Sequence, residues 1–404
     1  MMKEARVYDP LDHAFLDDPF PAYRRMRDHA PVSRNERLDC WAFSRFEDVW
    51  DAVRDTAAFS SASGLTFHPD EIGGLGLAPT IVMLDPPRHT RLRALVGHGF
   101  TPRRTRELED RIRGFAAARI RDMERAAADG AAPDLHRDFS SPLPTFVLAD
   151  LLGVPEADRG RFDPWVRALV EIGNDGFALG AAASAKDAVA EMFAYFGDLV
   201  RARRADPGDD LISALTQAEI DGDRLTDWDV LGFCFVMVAG GNDTTGNLVS
   251  NGVMLLDGDH AQRERLARDP ALIPNAVLEF LRLEGPVQAL ARTTTREVTA
   301  HGVTIPPGSK VMMLYGSANR DEREFGPDAE RLDVTRDIKR HLGFATGPHF
   351  CVGSHLARLQ ARVAFEELLR RHPHAGVDTA NGVRLRSAFA RGWISLPVTG
   401  LAPA

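Results

Sequence analysis

The chain of 404 residues is 44% hydrophobic and 26% charged, a globular balance that supports a sizeable buried core. Its net charge of −9, from 49 basic and 58 acidic residues, argues against a nucleic-acid binder. The three cysteines, Cys40, Cys234 and Cys351, are scattered and odd in number, which excludes a disulfide framework and favours a reducing cytoplasm.

From the N-terminus, Met1 to Arg6 is followed by charged and proline-bearing sequence without an apolar core of signal-peptide length. The longest near-apolar run, Leu231 to Gly241, falls well short of the roughly 20 residues a membrane span needs. A soluble, cytoplasmic chain without membrane contact is expected, with residues 1–404 as one domain, since no repeat or Gly/Ser linker divides them. Most segments carry helical periodicity. Asp85-Pro86-Pro87 predicts a helix start leading into His89–Val96. Thr226 and Asp229 have capping-box spacing, and the helix they open runs unbroken by proline to about Asp257.

Midway along that helix lies Ala239-Gly240-Gly241-Asn242-Asp243-Thr244-Thr245. Each interior glycine costs about 1 kcal/mol relative to alanine, so either a close helix crossing or a distortion that admits a ligand is implied. Asn242 either reaches a substrate or faces a neighbouring helix. Farther on, Glu279 and Arg282 share a helix face and on their own read as an exposed ion pair worth a few tenths of a kcal/mol. From Ala289 to Tyr315 the pattern turns β-prone, with Val298-Thr299, Val303–Ile305 and Lys310–Tyr315 divided by Gly302 and Pro306-Pro307-Gly308. Irregular, charged sequence fills Asn319–Arg340, and a last helix spans about Gly353–Arg371 with Leu356, Leu359 and Val363 on one stripe.

Just before that last helix stands Phe344-Ala-Thr-Gly347-Pro-His349-Phe-Cys351-Val-Gly353. A cysteine at a helix N-terminus is favoured as the thiolate by free N–H groups and the dipole. Gly347 and Gly353 allow turns and close approach by a flat group, and Phe344 would shield the sulfur from water. A lone cysteine is usually an inert packing residue, as Cys40 and Cys234 are expected to be. This stretch, however, resembles the haem-binding loop of the cytochrome P450 family, Phe-x-x-Gly-x-His-x-Cys-x-Gly, with no departure at a defining position.

The resemblance covers about Asp18 to Val398 and implies a mainly α (α+β) fold. One large helical domain would carry a small β-rich portion, with haem buried between the long central helix and the cysteine loop. It makes Cys351 the iron ligand and Phe344, Gly347, His349 and Gly353 parts of the cofactor loop. It makes Asp243 and Thr244 the candidate catalytic residues: Thr244 would hydrogen-bond the oxygen under activation, and Asp243 would relay protons to it. His89, Arg93, Arg292 and His349 would hold the propionates of haem b, because buried anions require cationic partners. Glu279 and Arg282 match the family's structural Glu-x-x-Arg pair.

The implied activity is a haem-thiolate monooxygenase that takes O2 and two electrons to hydroxylate or epoxidise a small lipophilic substrate. Electrons would come from NAD(P)H through a ferredoxin reductase and a small acidic ferredoxin, and the enzyme would be a monomer. Arg91, Arg103, Arg104, Arg358 and Arg362 are candidate ferredoxin contacts. Pocket candidates are Met237, Ala239, Gly240, Val287, Leu290 and Phe389, with Leu65, Phe67, Ile72, Leu75, Leu77, Phe177 and Leu179 from the loops, a largely apolar set. Rival readings keep the scaffold for peroxide-driven oxidation, desaturation or phenol coupling, make it a haem sensor, or make it a cofactor-free helical interaction protein.

Overall fold

A computed structural model of the chain describes residues 8–68, 71, 79–97, 102–162, 164–165 and 179–401. Its centre is the helix Asp227–Gly258, opened by the expected capping box: Thr226 Oγ1 accepts from the Asp229 N–H at 3.1 Å, and the Thr226 N–H donates back to Asp229 Oδ2 at 3.0 Å. Val230, Phe233, Cys234, Met237, Val238, Leu248, Val249 and Leu256 bury apolar surface on more than one side of this helix. A helix apolar all round belongs in a core. Helices Pro142–Leu151, Leu179–Ala205, Ile273–Leu283 and Ser354–Arg371 pack around it. Two glycines permit the closest approaches. A Cβ on Gly246 would stand 3.0 Å from the Ser140 carbonyl, and one on Gly252 would stand 2.5 Å from Phe365 Cζ.

The β-rich portion is a five-stranded sheet with spatial order Val32–Asn35, Cys40–Phe43, Lys310–Met313, Leu290–Thr294, Phe59–Ser60. Cys40–Phe43 runs parallel to Lys310–Met313, and the other pairs are antiparallel. The predicted strand Lys310–Tyr315 stops at Met313, because Tyr315 opens a short helix to Ala318. A C-terminal hairpin, Val383–Arg386 with Arg391–Ser395, lies against the central helix. The remaining expected elements, helix Arg88–Gly97, strands Val298–Ala300 and Val303–Ile305, and helix Ser354–Arg371, lie where the sequence puts them.

One expectation is overturned. Glu279 and Arg282 are not a solvated pair: both side chains are 0% exposed. Arg282 Nε and Nη2 grip Glu279 Oε2 and Oε1 at 2.7 and 2.8 Å, while its Nη1 donates to the carbonyls of Asn319 and Ala329 at 2.9 and 2.6 Å. Glu279 Oε1 also accepts from the Asp333 N–H at 3.1 Å and from Arg336 Nε at 3.2 Å. The irregular segment 319–336 thus docks onto the ion pair and takes it out of water. Burial of that kind is decided by contacts some fifty positions away, not by the i, i+3 spacing. As a structural network it matches the family resemblance.

Candidate functional site

The loop before the last helix is closed by the Cys351 N–H donating to the Phe344 carbonyl at 3.0 Å and the Phe350 N–H donating to the Gly347 carbonyl at 3.0 Å. Gly347 takes φ 71°, and a Cβ there would press on Arg54 Cγ at 3.1 Å and on the Val53 carbonyl at 3.3 Å, so glycine is required twice over. Phe344 is half-buried, edge-on to Phe350 with ring centroids 6.4 Å apart. At Gly353 there is room: a Cβ there would find Cys351 Sγ at 4.0 Å and nothing nearer.

The N–H groups of Gly353 and Ser354 and the Arg93 guanidinium all favour the thiolate of Cys351, as the helix-terminus argument expects. Burial outweighs them and leaves the thiol's proton affinity above its ordinary value. The loop alone therefore does not make a thiolate; a bound cation at the sulfur would. Cys40 and Cys234 are wholly buried and inert, burial pushing the Cys40 thiol up to about 12.

Four basic side chains from three segments, the helix Arg88–Gly97, the strand Leu290–Thr294 and the loop itself, meet here. The rings of His89 and His349 lie 4.2 Å apart, and Arg292 and Arg93 both act electrostatically on His349. Burial first, then the neighbouring cations, pushes His349 down to about 3; His89 is lowered for the same reasons. His349 Nε2 lies 3.2 Å from Ser61 Oγ, and Asp85 fixes that segment by accepting from the Ser61 N–H at 2.9 Å. His89 Nδ1 is buried with no partner among the described residues. Arg292 is 3% exposed, and among the described residues its side chain donates to the Ala291 carbonyl at 2.8 Å and to nothing else. Arg93 donates to the Phe350 carbonyl at 2.6 Å, its one side-chain hydrogen bond among the described residues. Neither arginine has an ion-pair partner among the described residues. A buried guanidinium, Arg292, beside a half-buried one, Arg93, with no carboxylate on either among the described residues, is a site for anions that arrive with a ligand, and the two propionates of a haem fit it.

On the central helix the two glycines divide the alternatives between them. Gly241 is a helix crossing, its absent Cβ 3.2 Å from Leu148 Cδ1. Gly240 is exposed, and a Cβ there would meet nothing within 4 Å. Thr244 Oγ1 donates to the Gly240 carbonyl at 2.5 Å, a back-bond of the kind that bends helices. Burial pushes the Asp243 carboxyl up to about 6, opposed by the Asn247 side chain. Asn242 faces a neighbouring helix, accepting from Thr145 Oγ1 at 2.9 Å.

The pocket candidates are assembled from distant segments. Phe389 packs on Phe67 with ring centroids 5.1 Å apart, and its carbonyl accepts from the Gln288 N–H at 2.8 Å. Val287 bridges Ala390, and the Leu65 carbonyl accepts from the Ala291 N–H at 2.6 Å beside Leu290. Ala239 is half-buried against the helical core, and Met237 is buried within it. Ile72, Leu75, Leu77 and Phe177 lie outside the described residues, as do the side chains of Leu179, Arg103 and Arg104. Of the candidate docking arginines, Arg362 is neutralised by Glu109 at 2.7 Å and Glu366 at 2.8 Å, and Arg91 lies 3.9 Å from Asp223. Arg358 donates to the Ser354 carbonyl and His355. Sequence reasoning missed Phe350, which is 41% exposed next to Cys351, and Asn247, one helical turn beyond Asp243. The i+4 spacing was the available signal for Asn247.

The family model described as Cytochrome P450 matches residues 256–378. Cytochrome P450 130 of Mycobacterium tuberculosis is 45% identical over 389 residues, covering 94% of each chain. The chain belongs to the cytochrome P450 family. Its members are monooxygenases that bind haem and use O2. The vitamin D(3) 25-hydroxylase of Pseudonocardia autotrophica is 37% identical, covering 97% of this chain and 96% of its own. The structure of CYP109E1 from Bacillus megaterium in complex with testosterone superposes with a TM-score of 0.84 at 32% identity, covering 94% of this chain and 99% of that one. Among the described residues no helix is long and apolar enough to cross a membrane.

Proposed function

We propose that this P450 hydroxylates, or epoxidises, a bulky lipophilic molecule of the steroid, terpenoid, fatty-acid or polyketide type at a b-type haem ligated by Cys351. The observation that carries the cofactor site is the juxtaposition of the half-buried Cys351 with buried Arg292 and half-buried Arg93, neither arginine having a carboxylate partner among the described residues. Haem, when bound, supplies the reductive activation of O2. The balance is one oxygen atom into a C–H bond or double bond, the other into water, at the expense of two electrons and two protons.

The chain's own residues divide the remaining work. Arg93, Arg292, His89 and His349 would take the propionates and so orient the macrocycle. Gly240 leaves open space on the central helix. Thr244 holds a hydroxyl at that space, and Asp243, poised near 6, can both hold and release a proton at neutral pH. Phe67 with Phe389, and Val287 with Leu290, belong to two apolar clusters that would supply an apolar wall. That wall, with a relative named for vitamin D(3) and another bound to testosterone, supports a sterol-sized substrate. Electrons enter from a ferredoxin docked over Phe350, with NAD(P)H as their source through its reductase.

Titration of the purified holoenzyme with steroids, secosteroids and long-chain fatty acids tests this reading. A binder should shift the haem from low to high spin, and it should be recovered one oxygen atom heavier after turnover with ferredoxin and reductase. Binders that shift the spin state yet are always recovered unchanged would leave a sensor, not an oxygenase.

A further inference from the structure

Three buried polar residues follow Asp243 along the central helix: Asn247, Ser250 and Asn251, each without solvent exposure. Two of them are tied to the C-terminal hairpin. Asn251 Nδ2 donates to the carbonyls of Glu284 and Arg391 at 2.9 and 3.1 Å, and Asn247 Oδ1 accepts from the Trp393 N–H at 2.9 Å. Between these contacts the backbone at Gly392 comes so close that a Cβ there would lie 2.0 Å from Asn247 Cγ.

A backbone N–H can only donate, so the Trp393 contact decides which end of the Asn247 amide is oxygen. The other end is Nδ2, two donors with no partner at ordinary hydrogen-bond geometry among the described residues. Asp243 lies one turn back on the same helix face. Burial and Asn247 are the two influences on its carboxyl among the described residues, and the asparagine opposes the burial. A buried amide with an unused donor beside a buried acid is an arrangement for fixing where the acid's lone pairs, and hence its proton, point.

We propose that Asn247 is a positioning residue for Asp243: the C-terminal hairpin locks its amide through Trp393 and Gly392, and the free Nδ2 holds the acid aimed at the Gly240–Thr244 gap. The inference rests on Asp243 being the proton donor of the proposed reaction. It adds a device by which the strand that follows the pocket residue Phe389 also sets proton delivery.

The test uses holoenzyme labelled with 13C-aspartate, in which the Asp243 carboxyl is titrated by infrared difference spectroscopy and identified by its loss in Asp243→Asn. Asn247→Leu removes the donor. Asn247→Asp keeps the size and the acceptor for the Trp393 N–H, so the hairpin stays docked, and changes only the Nδ2 end. Both should raise the Asp243 midpoint by about one pH unit or more, a tenfold change in proton affinity. The acid limb of product yield per NADPH consumed should move with it, while the reduced, carbon-monoxide-treated spectrum stays that of the parent. If Asn247→Leu does not fold, the smaller Asn247→Ala decides, because a carboxylate at 247 would raise the midpoint by like-charge repulsion alone. An unmoved midpoint in the variants that fold overturns the proposal. If instead Asp243→Asn leaves product yield intact, the proton-delivery reading fails, and a shifted midpoint would still stand apart from it.

Discussion

Replacing Arg292 by methionine should weaken haem binding while sparing or strengthening the haem-free protein. The side chain is 3% exposed and, among the described residues, bonded only to the Ala291 carbonyl at 2.8 Å. Without cofactor it is a buried cation with no counter-charge among the described residues, a burden of several kcal/mol for an isolated ion. With cofactor it gains a charge-assisted hydrogen bond to a propionate, worth about 1.5–3 kcal/mol. Methionine keeps the length and apolar stem and removes both effects. Haem affinity should fall by about 10- to 150-fold, measured as transfer of haem to a globin apoprotein followed optically. The haem-free variant should melt at or above the temperature of the haem-free parent. Arg292→Lys, which keeps the charge but not the fork, should fall between the two. Undiminished haem retention, or a haem-free protein destabilised as much as the holoprotein, would show that Arg292 is an ordinary structural arginine and refute the anion-site argument.

Thr244→Ala should leave substrate binding and NADPH consumption in place while oxidised product falls by about 100-fold or more, the lower end of what a positioned proton-transfer group contributes. Product and hydrogen peroxide measured together check this, and an unchanged yield per NADPH removes Thr244 from proton delivery. Glu279→Gln should cost about 3–5 kcal/mol, because it leaves Arg282 charged and 0% exposed. Denaturant unfolding of the holoprotein reads the loss, and a cost below about 1 kcal/mol would mean the pair behaves as a surface bridge. His136, held at 3.1 Å from Ser250 Oγ, is pushed down to about 4 by burial. Below about pH 6.5 the unfolded chain takes up a proton that the folded chain refuses, so stability falls with acid between there and pH 4 by up to about 1.4 kcal/mol per unit. His136→Leu should flatten that slope by one proton, and an identical slope in parent and variant would contradict it.

What the sequence reveals follows from how local each determinant is. The cysteine loop is one contiguous pattern, and its turn at Gly347 depends on φ and on a near neighbour, so it is legible residue by residue. The capping box Thr226–Asp229 is equally local. Gly240 and Gly241 look alike in sequence, yet one opens onto space and the other meets Leu148, a difference made by another helix. Asn242 is settled by Thr145, ninety-seven positions away. The burial of Glu279 and Arg282 depends on the segment 319–336, and the parallel pairing of Cys40–Phe43 with Lys310–Met313 joins the two ends of the chain. The thiolate expected from the helix terminus was half the balance, since the N–H groups are there but burial outweighs them. The cationic cluster was legible only through the family resemblance, because i, i+4 spacing joins His89 to Arg93 but no spacing links that pair to Arg292 or His349.

The central claim is an iron–sulfur bond at Cys351, and the absorption spectrum of the dithionite-reduced, carbon-monoxide-treated protein tests it most directly. The account predicts a Soret band displaced far to the red, as a thiolate-ligated haem gives, and its loss in Cys351→His with Cys40 and Cys234 left in place. A band at the position of an imidazole-ligated haem in the parent protein, or a red-displaced band that survives Cys351→His, would contradict it.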